Sequence, residues 1–288
     1  MSKLFTIQDF IEKRIRLGRP TIAFGLKEPD PKVLSSLKRS KKYASIILVG
    51  PPAIKKIKDF KKIISKNPEE KIAKMLFNEE VEGIIRGTID DFKTLETYHS
   101  LIGPEAAQKE IELALLQDAF GRLFYISEGS NPRGWNRKEK MKGVIGVVEF
   151  MQKELGITPK IGFITGIRHE TYQRKKKQTG WPMDYLKETY EDAEYGVRYF
   201  KKQSIEAKNY AIELNTAVEE GCNIIVPPNG MVGNQIFRAV VFLGKGKLIS
   251  ASRANLPHPY EDNSRNEKDF EDHVRWLVAW INSKKIEK

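Results

Sequence analysis

The sequence predicts an α/β protein built on a mostly parallel sheet with helices on both faces. Short apolar runs alternate with longer amphipathic stretches along the first half of the chain, which is the pattern of strand, crossover helix and next strand. Each apolar run ends in glycine or polar residues, so the carboxyl ends of the strands open into loops, the edge at which such sheets bind ligands. The chain has 288 residues, 40% of them hydrophobic and 31% charged, enough to bury the core of one large domain or two modest ones.

Thr21-Ile22-Ala23-Phe24-Gly25 reads as the first strand, and Pro29, Asp30 and Pro31 open a helix through Leu37. Residues 44–50 form a second, fully apolar strand and residues 82–87 a third, followed by an amphipathic helix over 94–102. Residues 110–120, with Leu113, Leu115 and Leu116, read as another helix. The pattern restarts with a strand at 123–127, a polar loop over 128–137, a helix to Leu155 and a strand at 160–164. Residues 168–185 turn basic and irregular. A strand at Ile224-Ile225-Val226 breaks at Pro227-Pro228, and a further strand covers 247–252. After a loop over 253–265, a closing helix carries Phe270, Val274, Leu277, Val278 and Ile281 on one face, positioned to pack on the domain surface.

No segment approaches the roughly 18–20 apolar residues that span a bilayer. Residues 1–19 carry charge throughout and lack the apolar core of a signal peptide, so a cytoplasmic location is expected. The single cysteine, Cys222, excludes an internal disulfide and a thiolate metal cluster within one chain; beside an Ile-Ile-Val strand it reads as buried and inert. Fifty Lys and Arg against 38 Asp and Glu give a net charge of +12. That balance suits an anionic partner such as a phosphorylated metabolite, a coenzyme or nucleic acid, and equally a Lys- and Glu-rich surface of the thermophilic kind.

The chemistry concentrates in a few places. Asn229-Gly230-Met231-Val232-Gly233-Asn234, placed between a buried strand and a helix start, lets backbone N–H groups approach a phosphate, and Arg238 supplies charge one turn later. Arg86-Gly87-Thr88 ends another strand; an Arg there either holds a phosphate or closes the loop by pairing with Asp90 or Asp91. Ser264-Arg265 precedes Glu267, Asp269, Glu271 and Asp272 at a helix start, where acids also simply answer the helix dipole. The first strand lacks a G-x-G-x-x-G loop, Gly244-Lys245-Gly246-Lys247 lacks P-loop spacing, and no G-x-S-x-G elbow occurs. His99, His169, His258 and His273 lack metal-ligand spacing, so no metal is expected. Arg174-Lys175-Lys176-Lys177, with Tyr172 and Trp181 interleaved, reads as a solvated lid rather than a nucleic-acid track.

Together, the Asn229 to Asn234 segment and Ser264-Arg265 resemble the phosphotransacetylase, phosphotransbutyrylase and phosphate acyltransferase group. In that group a strand and a Gly-Asn segment lead to a Lys, and a Ser-Arg pair follows before an acidic helix start. Here Arg238 stands at the Lys position, with Ser264 26 residues later. Residues 21–50, 82–103 and 158–162 and the pair Asn131-Pro132 are similar to further stretches of the group, in the same order. Within it the chain most resembles the methanogenesis marker protein 4 family of methanogens, also called methyltransferase-related subunit X.

The resemblance implies an isocitrate/isopropylmalate dehydrogenase-like fold of two α/β/α domains around an active cleft, residues 1–122 with 252–288 forming one and 123–251 the other. It further implies a homodimer, methyltransferase subunits as partners, and coenzyme A, coenzyme M or a related anionic thiol as substrate, with acyl or phosphoryl chemistry linked to methanogenesis or, alternatively, a methyltransferase-associated protein that binds a cofactor or partner in the same cleft without acyl transfer. Carried over residue by residue, Asp272 is the base, with Glu271 its rival because the spacing from Ser264 is one residue longer than usual. Ser264 and Arg265 orient and stabilise; Arg238, Gly233 and Asn234 bind phosphate, with Asn229, Gly230, Arg86, Gly87, Thr88 and Asn131 around them. Arg238 in place of Lys keeps the charge but has no accessible neutral form, which suits clamping rather than proton transfer.

Overall fold

The structure is a computed structural model and describes residues 5–127 and 134–286. In chain order its strands are β1 (Thr21–Gly25), β2 (Ser45–Gly50), β3 (Lys61–Ile64), β4 (Gly83–Ile85), β5 (Ile111–Gln117), β6 (Leu123–Ser127), β7 (Lys160–Phe163), β8 (Glu206–Asn209), β9 (Ile224–Val226), β10 (Lys247–Ala254) and β11 (Tyr260–Asp262). The chain divides into two units, Met1–Ile111 with Ile249–Lys288, and Glu112–Leu248.

In the first unit the strand order is β3-β2-β1-β4-β11-β10. β1 pairs in parallel with β2 and with β4, β2 with β3, and β11 with β4, while β10 returns antiparallel to β11. The carboxyl ends of β1, β2, β3, β4 and β11 therefore share one edge. A helix starts beyond each of three of these ends, Pro31–Ser40 after β1, Pro68–Phe77 after β3 and Asp91–Ile102 after β4. Sequence fixes those starts locally: Asp30 accepts from the backbone N–H groups of Lys32 and Val33, Asp90 accepts from that of Lys93, and Pro31 and Pro68 stand in first turns. Ile72, Leu76, Ile84 and Tyr98 pack with Ala23 and Val49 into the core on one side of this sheet.

Two sequence expectations change here. The stretch 110–120 is not a helix: Ile111, Leu113 and Leu115 are buried with half-buried Glu112 and Ala114 between them, a period of two, and β5 pairs antiparallel with β6. The loop expected over 253–265 contains β11, whose Tyr260, Glu261 and Asp262 are all buried. The closing helix, Glu271–Lys284, buries more than one face. It packs on Ile7–Arg14, with Trp276 and Phe10 rings 5.7 Å apart, and Asn282 Nδ2 donates to the carbonyls of Arg14 and Gly18 at 2.9 and 3.1 Å.

In the second unit the order is β5-β6-β9-β7-β8, with β6, β9, β7 and β8 parallel. Asp118 shapes the β5–β6 turn by accepting from the N–H groups of Phe120 and Arg122, both at 2.9 Å. Residues expected to be irregular over 168–185 include the helix His169–Lys175 and the start of Met183–Lys201. The helix Gly230–Arg238 begins directly after the carboxyl end of β9. Among the described residues, no helix is long and apolar enough to cross a membrane.

Candidate functional site

At the shared carboxyl edge of the first unit lies a cavity of about 590 Å³. Lys27 follows β1, Pro51 follows β2, Lys66 follows β3, Arg86 and Thr88 follow β4, and Arg265 and Lys268 follow β11. Asp30, Pro68 and Asp91, at the starts of the three helices, complete this side of the lining, so the positive ends of three helix dipoles border one space.

The floor is held by Arg86, which is 3% exposed. Its Nε donates to Asp262 Oδ1 at 2.8 Å, one terminal nitrogen to the carbonyls of Gly87 and Ile89 at 2.6 and 3.3 Å, and the other to the carbonyl of Asn263 at 2.6 Å. Most of its donors are thus spent within the protein, and it closes the loop by pairing with Asp262 rather than with Asp90 or Asp91. Burial would raise the Asp262 carboxyl, but Arg86 and Arg253 outweigh it and hold the group below its ordinary value. Asn263 Nδ2 donates to the Gly87 carbonyl at 3.0 Å, so residues 86–88 and 262–265 form one structure.

Gly87 is required sterically. Its φ is +66°, and a Cβ there would lie 2.1 Å from the carbonyl oxygen of Gly25. That close approach of the ends of β1 and β4 lets the Thr88 N–H donate to the Gly25 carbonyl at 2.8 Å and the Lys27 N–H to Thr88 Oγ1 at 2.8 Å. Lys27 is thereby set at the cavity mouth.

Most of the lining charges answer one another. Lys268 pairs with Asp30 at 2.7 Å and Arg265 with Asp91 at 3.1 Å. The Lys268 ammonium and the backbone N–H groups of Val33 and Lys32 hold Asp30 below its ordinary value. Asp90 caps its helix, and Glu69 lies 3.7 Å from Lys93 Nζ. Among the described residues, Lys27, Lys66, Glu28 and Asp90 line the cavity without an ion pair, and of these Asp90 is engaged as a helix cap. Sequence reading missed Lys27 and Lys66; the signal they carry is position, each standing two residues beyond the end of a parallel strand.

Of the expected acids, neither Glu271 nor Asp272 lines this cavity. Glu271 is fastened by Arg39 at 2.8 Å and Lys42 at 3.2 Å; burial opposes its charge, but these cations win and lower it. Asp272 Oδ1 lies 3.4 Å from Arg275. Ser264 adjoins Arg265 and caps locally, its Oγ 3.5 Å from the Asn266 N–H. The next residue, His273, is fully buried with Nδ1 2.7 Å from Glu261 and Nε2 3.9 Å from Glu267.

In the second unit, Asn229 is 1% exposed; its Oδ1 accepts from the Val232 N–H at 2.9 Å, capping Gly230–Arg238, and its Nδ2 donates to the Tyr185 hydroxyl. Gly230 and Gly233 are the buried residues of this helix and Asn234 is half-buried. Arg238 is exposed, its guanidinium 5.2 Å from the centre of the Phe242 ring. Asn131 lies outside the described residues. Among the described residues, no group of three His, Cys, Asp or Glu side chains could hold a metal ion.

No family model matches the chain. It is 29% identical over 266 residues to a Methanosarcina acetivorans protein named as a methyltransferase mtx subunit X, covering 91% of this chain and 90% of that one. Among solved structures it is similar to a branched-chain phosphotransacylase from Enterococcus faecalis, with a TM-score of 0.68, 13% identity, and coverage of 91% of this chain and 99% of that one. It is similar also to a phosphotransacetylase from Streptococcus pyogenes, with a TM-score of 0.66, 14% identity, and coverage of 98% and 100%. These likenesses show the fold, which is phosphotransacetylase-like.

Proposed function

We propose that this chain, a relative of the mtx subunit X proteins built on a phosphotransacetylase-like fold, binds a phosphate-bearing or otherwise anionic ligand in the cavity of its first unit and serves an acyl- or phosphoryl-transfer step there. The observation that carries the reading is the pair of lysines, Lys27 and Lys66, that line the cavity with no ion pair among the described residues, beside three helix N-termini. Cations already matched by carboxylates gain little from a ligand; unmatched ones gain a full charge-assisted hydrogen bond. Glu28, equally unmatched, is the lining carboxylate free to take a proton from an anionic thiol such as coenzyme A or coenzyme M.

A second reading is favoured by Glu271. The acid that the family resemblance offers as an alternative base is locked by Arg39 and Lys42, which supports a protein that binds a cofactor or a methyltransferase partner without acyl transfer. The subunit name of the Methanosarcina relatives supports the same reading.

The readings separate in one experiment. Binding of inorganic phosphate, pyrophosphate, acetyl phosphate and coenzyme A is followed by thermal shift and calorimetry, and phosphate-dependent release of thiol is then assayed. Acyl transfer predicts ligand stabilisation that Lys27→Ala with Lys66→Ala reduces by about tenfold or more, and turnover that Glu28→Gln abolishes. Binding without turnover supports the second reading in its cofactor form, and absence of any anion effect rules out anion binding in the cavity and with it the first reading.

A further inference from the structure

Residues 173–182 form an exposed run that none of the chemistry above uses. Arg174, Lys175, Lys176 and Lys177 stand consecutively in it, and among the described residues none of the four sits in an ion pair; Lys176 Nζ contacts only the Gln173 amide oxygen at 3.2 Å. Four adjacent like charges repel one another, so leaving them unanswered costs free energy that a partner can return. At the end of the run Trp181 is 88% exposed, the most exposed of the large hydrophobic side chains among the described residues. A tryptophan beside arginine and lysine, open to water, is the composition of an interface anchor with a steering rim.

We propose that residues 174–181 are a docking surface for an acidic protein surface, with an apolar recess that receives Trp181. The surroundings favour that occupant over a nucleic-acid strand. Tyr172 offers no free ring for a base, because it stacks on Tyr190 with centroids 3.9 Å apart and its hydroxyl donates to Glu191. A single free aromatic remains, where strand binding uses several in succession. Carboxylates flank the cations on either side, Glu170 in the first turn of the helix that carries Arg174 and Lys175, and Glu188 after them, and would repel a phosphate chain continuing past the patch; Asp184 is answered by Lys187 at 3.0 Å. A compact acidic patch avoids them. The surface is independent of the cavity ligand, and neither Lys27 nor Lys66 takes part.

The test uses the full chain and a random copolymer of glutamate and tyrosine as probe, with polyglutamate, an oligouridylate of matched charge and anionic lipid vesicles as the other arms. Binding is read by isothermal titration calorimetry, which needs no fluorophore and so puts wild type and the Trp181→Ala protein on one scale; the half-exposed Trp135 does not enter that signal. The expected result is that the copolymer binds best, that changing all four of Arg174, Lys175, Lys176 and Lys177 to Ser weakens it by about tenfold or more, and that Trp181→Ala removes its advantage over polyglutamate. All five side chains are exposed, so an unchanged melting temperature in the variants keeps the comparison clean. Copolymer binding unaffected by the four serines overturns the proposal. So does tighter binding of the oligouridylate or the vesicles through the same four residues, which makes the surface a nucleic-acid or lipid site.

Discussion

Arg86 and Asp262 meet as a buried ion pair, Nε to Oδ1 at 2.8 Å, that joins the end of β4 to the end of β11. The pair belongs to an alternating chain: Asp262 Oδ2 accepts from Arg253 at 2.9 Å, Arg253 donates to Glu110 at 2.9 Å, and His99 Nε2 lies 2.7 Å from Glu110. Removing one member leaves its neighbour charged and buried. Arg86→Ala and Asp262→Ala should each lower stability by about 3–5 kcal/mol, and the double variant by clearly less than the sum. Urea denaturation of the four proteins measures this; strict additivity would show that the two side chains do not act as a pair.

Gly87 offers a comparison with Gly103. Both have positive φ, +66° and +82°, but a Cβ at Gly103 would meet nothing within 4 Å while one at Gly87 would strike the Gly25 carbonyl. Gly103→Ala should cost only the backbone conformation, about 1–3 kcal/mol, because φ +82° with ψ 163° is a nearly glycine-only region. Gly87→Ala should cost more, and should also weaken anion binding by displacing Thr88 and Lys27. Equal losses in the two variants, with unchanged phosphate affinity, would refute the close-approach argument.

His273 sets a pH dependence. Burial opposes its charge, but the Glu261 carboxylate on Nδ1 and the nearby Glu267 outweigh burial and raise its pKa from 6.5 to about 9. The folded state therefore binds this proton more tightly than the unfolded chain does. The stabilisation is fully present below pH 6.5 and is lost as pH rises through about 9. Denaturation midpoints between those limits should fall with pH, and His273→Gln should flatten the fall; an identical slope in the variant would assign the effect to another group.

Asn229 has two separable roles. Asn229→Ala should cost about 1 kcal/mol from the lost helix cap, with the hydrogen bond to Tyr185 lost in addition. Asn229→Asp keeps the capping oxygen and removes the donor. Thermal unfolding that ranks Asp between wild type and Ala supports this division, and Asp as damaging as Ala would contradict it.

Much of the framework was legible because its signals are local. The apolar runs that became β1, β2 and β4, the Asp30-Pro31 helix start and the helix after β9 need no distant partner to be recognised. The failures share a cause. β5 has a sequence, Ile-Glu-Leu-Ala-Leu-Leu-Gln, that suits a helix by propensity, and only pairing with β6 makes it a strand. β11 carries two carboxylates in three residues, which makes sense as buried structure only once Arg86, Arg253 and His273 are in place around them. Lys27 and Lys66 were invisible among 50 cations, since what distinguishes them is the lack of a partner in space. Glu271 likewise reads as a free acid until Arg39, 232 residues away, is found beside it.

The insertion of β11 between β4 and β10 fixes an order of assembly. The second unit is one continuous stretch, Glu112–Leu248, whereas the first waits for Ile249–Lys288. As the chain leaves the ribosome, β1 to β4 emerge early with one long side of the sheet open, and Arg86 with no carboxylate at β11 to receive it. The middle of the protein is complete before its beginning can be. Synthesis thus leaves the cavity-bearing edge of the first unit unfinished until the last strand and the Trp276-bearing helix arrive to close it.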